Sequence, residues 1–195
     1  MVVKWQNRLP SGAGQEKYYK QFKKKAEELT VTVLRASSPD QALELIIDRM
    51  KALNIKQAVS SALTLIDAEN LEKQAQAAGA DLSSALDRDV IEKAGIGISE
   101  FELAIAESGT IVQDASSLHA RLVSMLPPVH LAIVTTKSIV GTFPDALSVI
   151  ENVYGGHLPP FLSFVTGPSK TADIERVLTI GVHGPKEVIV LFIDE

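Results

Sequence analysis

The stretches Leu131-Ala-Ile-Val-Thr135 and Val188-Ile-Val-Leu-Phe-Ile193 are short and almost wholly apolar. Strands that are buried on both faces of a parallel sheet have such continuous runs, whereas strands with one wet face alternate apolar and polar residues. Other strand-like segments alternate with helix-like ones along the chain, a pattern that implies right-handed crossovers. The sequence therefore predicts an α/β fold with a mostly parallel, open sheet and helices on both faces.

The remaining elements follow from residue type and periodicity. Strands are predicted at residues 31–34, 55–59, 101–105, 110–112 and 161–165. Helices are predicted at residues 39–53, 68–78, 89–94, 143–153 and 172–180. In the last of these, Ile174, Val177 and Leu178 share one helical face, and Gly181 marks its end.

The first 30 residues form a segment apart, predicted to be a linker and a helical appendage ahead of an α/β domain at 31–195. The linker is the breaker-rich stretch Leu9-Pro-Ser-Gly-Ala-Gly14. In the helix predicted at 16–29, Phe22 and Ala26 recur at helical spacing among lysines. We interpret this segment as a solvated helix with one buried stripe, and the chain could dock through it to a second copy as a homo-oligomer.

The composition excludes several classes of function. The 195 residues contain no cysteine, so disulfides, thiolate zinc sites and cysteine-ligated iron–sulfur clusters are excluded. The net charge of −5 argues against nucleic-acid binding, which needs a basic footprint. No apolar run approaches the length of a membrane span, and the amino terminus lacks a signal-peptide core. We therefore expect a cytoplasmic protein that binds neither nucleic acid nor membrane.

The turn Thr166-Gly-Pro-Ser-Lys-Thr171 lies between a predicted strand and a predicted helix. Free backbone amides at such a turn favour a bound anion, and the side chains of Ser169, Lys170 and Thr171 would add donors beside Gly167. The alternative is a purely local role, in which a hydroxyl caps the helix and Gly167-Pro168 makes a tight turn. The spacing does not match a nucleotide-binding P-loop.

A second candidate lies at the end of a predicted strand, in Ala106-Glu-Ser-Gly-Thr110. Glu107 could serve as a nucleophile or a general base, while Ser108, Gly109 and Thr110 could hold a ligand oxygen. The alternative is a solvated carboxylate beside a glycine that permits a bulge.

The histidines lack the spacing of a metal site, so no metal is predicted. His130 is interpreted as a hydrogen-bonded histidine within a strand. His183 and Gly184 lie in a glycine-flanked turn that suits ligand contact. Arg121 follows the start of a short helix and could clamp an acidic group.

Together these segments resemble the lactate-utilisation protein C family (LutC/YkgG, the LUD domain). The resemblance is carried by Ala104-Ile-Ala-Glu-Ser-Gly-Thr110, Arg121, Leu126-Pro-Pro-Val-His-Leu-Ala-Ile133, Thr166-Gly-Pro-Ser-Lys-Thr-Ala-Asp-Ile-Glu175 and Gly181-Val-His-Gly-Pro185. The family usually has Thr at position 108 and Arg at position 170. The resemblance implies a fold similar to the NagB/RpiA/CoA-transferase group. It also implies a role in oxidising L-lactate to pyruvate alongside partner proteins that carry the iron–sulfur clusters, with no cofactor in this chain.

Two hypotheses follow. In the first, the chain is a subunit of a lactate-utilisation system that binds a small anionic metabolite or its iron–sulfur partners. In the second, it is a free-standing enzyme similar to a CoA-transferase or sugar-phosphate isomerase that uses Glu107. Under both, the turns at 107–110, 167–171 and 181–185 are predicted to converge on one pocket, as ends of a single sheet, and ligands are expected at the carboxyl ends of its strands.

Overall fold

A computed structural model describes residues 15–172, 178–180 and 183–194. The helices are α1 (Gln15–Glu28), α2 (Pro39–Ala52), α3 (Ala68–Ala77), α4 (Arg88–Lys93), α5 (Leu118–Met125) and α6 (Phe143–Tyr154). The strands are β1 (Thr32–Ala36), β2 (Gln57–Ser60), β3 (Asp81–Ser83), β4 (Ile96–Glu100), β5 (Leu103–Ile105), β6 (Thr110–Asp114), β7 (Val129–Thr135), β8 (Ile139–Val140), β9 (Leu162–Val165), β10 (Lys170–Ala172), β11 (Leu178–Ile180) and β12 (Glu187–Ile193).

The large sheet contains six strands in the order β1-β12-β7-β4-β2-β3, and every neighbouring pair is parallel. The two apolar runs form the neighbouring interior strands β7 and β12, which pair in register with Val190 opposite Ala132. Both are buried at every position after the first. The prediction of two-sided burial for these runs is confirmed.

Helices cover both faces of the large sheet, as the α/β prediction requires. On one face α2 and α3 place Ile46 and Leu71 over Ile133 and Leu191. The other face receives α4 and α5 at one side, where Ile91 and Val123 pack on Val59. The rest of that face is covered by α1 and by a second, smaller sheet. No helix of the described residues is long and apolar enough to span a membrane.

The small sheet has the order β8-β5-β6-β9, with β5–β6 and β6–β9 antiparallel. A four-residue connection joins β5 to β6, and so short a link permits only an antiparallel hairpin. The outer face of the sheet is covered by α6, whose Val149 and Ile150 pack on Leu103 and Val112. A capping box between Thr142 and Asp145 starts that helix.

The predicted amino-terminal helix is confirmed, and it packs directly on the large sheet. The rings of Tyr19 and Phe22 meet Phe192 edge-on, at centroid distances of 5.5 and 5.0 Å. Arg35 on β1 donates to Glu16 at 2.7 Å and to Asp194 at 2.9 Å. The domain boundary placed at residue 30 stays a prediction.

The helix predicted at 172–180 is wrong at both of its ends. Residues 170–172 and 178–180 form the antiparallel strands β10 and β11. Thr171, Thr179 and Ile180 are β-branched, a side-chain type that favours strands. The core of the predicted helix, at 173–177, and its end at Gly181 lie outside the described residues.

Candidate functional site

Three hydroxyl groups link the turn at 107–110 to the turn that begins at Thr166. The Ser108 Oγ lies 2.7 Å from the Thr110 Oγ1, which lies 2.8 Å from the Thr166 Oγ1. Thr110 is buried, Ser108 is half-buried and Thr166 is exposed. We call these three residues the hydroxyl cluster. It joins the end of β9 to the start of β6 across 56 residues of sequence.

The first turn owes its shape to Gly109. Its φ of +66° lies in the left-handed region, and its amide donates to the Ile105 carbonyl at 3.0 Å. A Cβ at this position would lie 2.7 Å from the backbone nitrogen of Ala26. The glycine therefore lets the Glu107–Thr110 turn lie directly against α1.

The second turn is fixed on its other side by the segment before β12. The Ser169 hydroxyl donates to the His183 carbonyl at 2.7 Å, and the Ser169 amide donates to the Pro185 carbonyl at 3.0 Å. Gly184 has a φ of +119°, and a Cβ there would lie 3.1 Å from the Cβ of Ser169. Gly167 has a φ of +81° and lies near Leu29. The structure thus brings the described parts of all three predicted turns together.

Their surroundings differ from the prediction in three respects. The turns belong to two sheets rather than one, because β5, β6 and β9 form the separate small sheet. They lie beside the end of α1 and the amino-terminal ends of β1 and β12, not at the carboxyl edge of the large sheet. The second turn leads directly into the strand β10 rather than into a helix that starts near residue 172.

Two of the residues proposed to contact a ligand face solvent. Lys170 and His183 are exposed. Thr171 pairs with Thr179 in the β10–β11 hairpin, and its side chain lies outside the described part of the chain. Two cavities of the described part, of about 130 and 660 Å³, lie near the starts of β2 and β3 and are lined by other residues.

Glu107 is exposed, and its carboxylate is held by a hydrogen bond from the start of α6. One carboxylate oxygen accepts the Phe143 amide at 2.6 Å, and Phe143 is the first residue of α6. A carboxylate is stabilised at a helix amino terminus by the free amides and the dipole. Glu107 therefore holds α6 on the small sheet, a role that the sequence spacing alone did not indicate.

Arg121 is the predicted site residue that lies away from the others. It donates through Nη1 to the carbonyls of Ala115 and Ser116, and its guanidinium stacks 4.2 Å from the Phe161 ring centroid. Ala115 and Phe161 lie at the opposite end of the β6–β9 pair from Thr110. Thr110 and Ala115 are five residue steps apart along the chain, about 17 Å.

The structure also reveals buried charged or polar groups that the sequence argument did not select as site residues. Burial raises the pKa of Glu102 to about 7, against a lowering by the hydrogen bond from the Asp114 amide. Burial lowers the pKa of His130 to about 4, and its Nε2 lies 2.8 Å from the Ser99 hydroxyl. A single acidic residue enclosed by apolar neighbours, as in Phe101-Glu-Leu103, is the signal that could have identified Glu102.

The carboxyl edge of the large sheet carries Glu100. Its carboxylate accepts both the amide and the hydroxyl of Thr64, at 2.6 and 2.8 Å, and the Leu65 amide at 2.6 Å. These bonds tie β4 to the loop after β2. Within the described residues, no group of three or more histidine, aspartate or glutamate side chains could hold a metal ion.

Comparison with known proteins places this architecture in a family. Lactate utilization protein C from Geobacillus sp. (strain WCH70) is 38% identical over 109 residues, 55% of this chain and 45% of that protein. Lactate utilization protein C from Bacillus subtilis (strain 168) is 40% identical over 106 residues, 53% of this chain and 44% of that protein. The chain thus spans less than half of these relatives.

A solved structure covers nearly the whole chain. The crystal structure of a DUF162 family protein from Deinococcus radiodurans matches 93% of this chain and 99% of that one, with a TM-score of 0.64 and 19% identity. It supports the fold, and with it the α/β prediction. The model of the LUD domain matches residues 19–193. The chain belongs to the LUD domain family.

Proposed function

We propose that this chain takes part in lactate utilisation and binds a small carboxylate, of the L-lactate or pyruvate class, at the hydroxyl cluster. The relatives named lactate utilization protein C supply the metabolic context. Since the chain spans less than half of those proteins, their role is carried over here as a proposal only.

The observation that carries the proposal is the contact between the Thr110 and Thr166 hydroxyls. The cluster holds three hydroxyl protons but only two mutual contacts, so one proton remains for an outside acceptor. Thr110 is buried, and a spare proton there would be left without a partner, which is costly. The spare donor therefore belongs at Ser108 or Thr166, where solvent or a carboxylate can reach it.

The charges around the cluster fit a small anion that also carries a hydroxyl group. Lys170 is exposed four residues after Thr166 and would offset the charge of a bound carboxylate. The carboxylate of Glu107, two residues before Gly109, could accept a hydrogen bond from the 2-hydroxyl of lactate. In this arrangement the chain binds and orients the substrate.

The redox step would fall to partner proteins. The absence of cysteine leaves no thiolate ligand for an iron–sulfur cluster in this chain. Following the family resemblance, we propose that iron–sulfur subunits act on the bound lactate and that this chain holds no cofactor. Purification of a tagged chain together with such a subunit, identified by its iron content and visible absorption, would support this division of roles.

Calorimetric titration of the full chain with L-lactate and with pyruvate tests the binding site. Replacing both threonines, as Thr110→Val with Thr166→Val, should weaken binding by at least about tenfold, because it removes two of the three hydroxyls and the contact that orients them. The matched control is Thr135→Val, which breaks a similar hydroxyl pair with Ser138, at 2.8 Å, beside the large sheet.

Three outcomes would overturn the proposal: no binding of either acid, equal binding by the double variant, or loss of binding only in the Thr135 variant. Turnover of an acyl-CoA or a sugar phosphate by the isolated chain, abolished by Glu107→Gln, would instead support the free-standing enzyme.

A further inference from the structure

The edge of the small sheet formed by β9 pairs with no further strand among the described residues. β9 ends the order β8-β5-β6-β9 and pairs only with β6 in the described part of the chain. The run Phe161-Leu-Ser-Phe-Val-Thr166 contains neither a charge nor a proline. Exposed edge strands in monomeric proteins are normally shortened, charged or covered, because a bare edge pairs with other chains.

The other edges of the large and small sheets, within the described residues, follow that rule. β3 has three residues and begins with Asp81, and β8 has only two. β1 carries Arg35, which is held by Glu16 and Asp194. This contrast between edges of one molecule indicates that another surface covers the β9 edge when the protein functions.

The hydrogen-bond pattern shows which backbone groups are free. The Ala115 amide donates to the Phe161 carbonyl, so residues 161, 163 and 165 direct their polar groups toward β6. Polar groups alternate along an antiparallel strand, and those of Leu162 and Phe164 therefore point away from the sheet. Two outward residues separated by Ser163 can pair with the same two residues of an identical strand.

An apolar strip lies beside this edge. Phe143 and Phe164 stack at a centroid distance of 5.3 Å, and Leu147 follows one turn further along α6. These side chains are 39%, 38% and 49% exposed, respectively. No lysine or arginine occurs between residues 138 and 169, and Arg121 stacks on the ring of Phe161, at the start of this edge.

The exposed area suits a second copy. Together with Phe161 on the same strand run, which is 52% exposed, the strip offers roughly 350 Å² of apolar surface per copy, judged from the size of buried aromatic side chains. Two copies would bury about 700 Å² from these side chains alone, the larger part of the threshold of about 1,000 Å² for a specific interface. The paired backbones add further area.

We propose that two copies of this chain associate through antiparallel pairing of β9 with its counterpart, which joins the two small sheets into one of eight strands. The two-fold axis passes beside Ser163, with Leu162 of each copy opposite Phe164 of the other. The α6 helices then lie on the same face of the joined sheet. This association places the hydroxyl cluster, through Thr166, at the end of the shared strand, but it does not depend on the proposed ligand.

Sedimentation velocity of the full chain over a wide concentration range tests the association. The wild type should be a dimer, and Leu147→Lys and Phe164→Lys should each weaken it by at least about tenfold, because each change occurs twice in a symmetric interface. The control Leu86→Lys alters another exposed leucine, 57% exposed against 49% for Leu147, which lies before α4, and it should leave the dimer intact.

A covalent test examines the register, since the chain has no native cysteine. In the proposed pairing, residue 163 and its counterpart form a pair without mutual hydrogen bonds, about 4.5 Å apart at Cα, within disulfide range. Ser163→Cys should give a covalent dimer under mild oxidation, whereas Ser84→Cys, on an exposed loop, should not. A monomeric wild type, a dimer unaffected by the lysine variants, or equal crosslinking of both cysteine variants would overturn the proposal. If a lysine variant fails to fold, the Ser163 variant still decides.

Discussion

The two sheets of this protein differ in how much of each is buried. The interior strands β7 and β12 of the large sheet are buried on both faces, and the His130 side chain is enclosed there with Ser99 as its neighbour. The small sheet is covered by the large sheet and α6 on its faces, but its turns and its β9 edge reach solvent. The comparison indicates that the large sheet supplies stability and the small sheet supplies the accessible groups.

Each sheet also has a buried titratable group, in a strand of the large sheet and next to a strand of the small one. Burial shifts the pKa values of these two groups in opposite directions. It lowers the pKa of His130 to about 4 and raises the pKa of Glu102 to about 7. Burial disfavours the charged form of both groups, so the base releases its proton and the acid keeps it. The stability of the protein therefore depends on pH through two opposed contributions.

The largest effect is expected from the large sheet. Phe192→Ala removes a fully buried ring that contacts Tyr19 and Phe22, and it should lower the free energy of unfolding by about 3–5 kcal/mol. Phe164→Ala in the small sheet, where the ring is partly exposed, should cost about 1 kcal/mol. Urea denaturation measures both values, and equal losses would contradict the division between the sheets.

The next effect concerns His130, whose unfolded-state pKa is about 6.5. As the pH falls from 6.5 to 4, the unfolded chain takes up a proton that the folded protein excludes, so the free energy of unfolding should fall by about 3 kcal/mol. His130→Gln should flatten this decline in urea titrations between pH 7 and 4. The exposed His157 serves as the control, and an unchanged slope in the His130 variant would refute the assignment.

Sequence periodicity predicted the large sheet well where its strands are continuously apolar, as in β7 and β12. It missed β4 because Gly97 and Ser99 interrupt the apolar pattern. The structure explains both residues: a Cβ on Gly97 would lie 2.0 Å from the Val123 carbonyl oxygen in α5, and Ser99 contacts His130. These two residues are required by neighbours that are distant in sequence. The periodicity of a single segment carries no information about such neighbours.

The candidate site was predictable only in part, for the same reason. Glycines and hydroxyls marked both turns, but nothing local indicates that Thr110 meets Thr166, because the contact depends on antiparallel pairing of β6 with β9. The same pairing places Arg121 at the far end of the small sheet. Glu107 resembles a free strand-end carboxylate in sequence, yet in the structure it anchors α6.

A smaller effect of opposite sign is expected from Glu102. As the pH rises from 4.5 to 7, the unfolded chain loses a proton that the folded protein retains, so stability falls with rising pH. The carboxyl group is enclosed, but Glu102 as a whole is half-buried. We therefore expect the free energy of unfolding to fall by about 1–2 kcal/mol over this pH range. Glu102→Gln should remove this decline and make the protein more stable than wild type at pH 8. The exposed Glu72→Gln is the control, and lower stability of the Glu102 variant at pH 8 would contradict the prediction.

The smallest effect tests whether the hydroxyl cluster of the small sheet is part of the stabilising structure or is held for a ligand. A double-mutant cycle of Thr110→Val and Thr166→Val measures the coupling free energy between the two hydroxyls. A neutral hydrogen bond contributes about 0.5–1.5 kcal/mol. Thr166 is exposed and can exchange its partner for water, so the coupling should lie at the lower end of that range. The pair Thr135 and Ser138, buried beside the large sheet, should give the larger coupling in the same denaturation assay. A stronger coupling in the cluster would mean that its hydroxyls are committed to each other, and a carboxylate would then have to compete with that bond rather than use a spare donor.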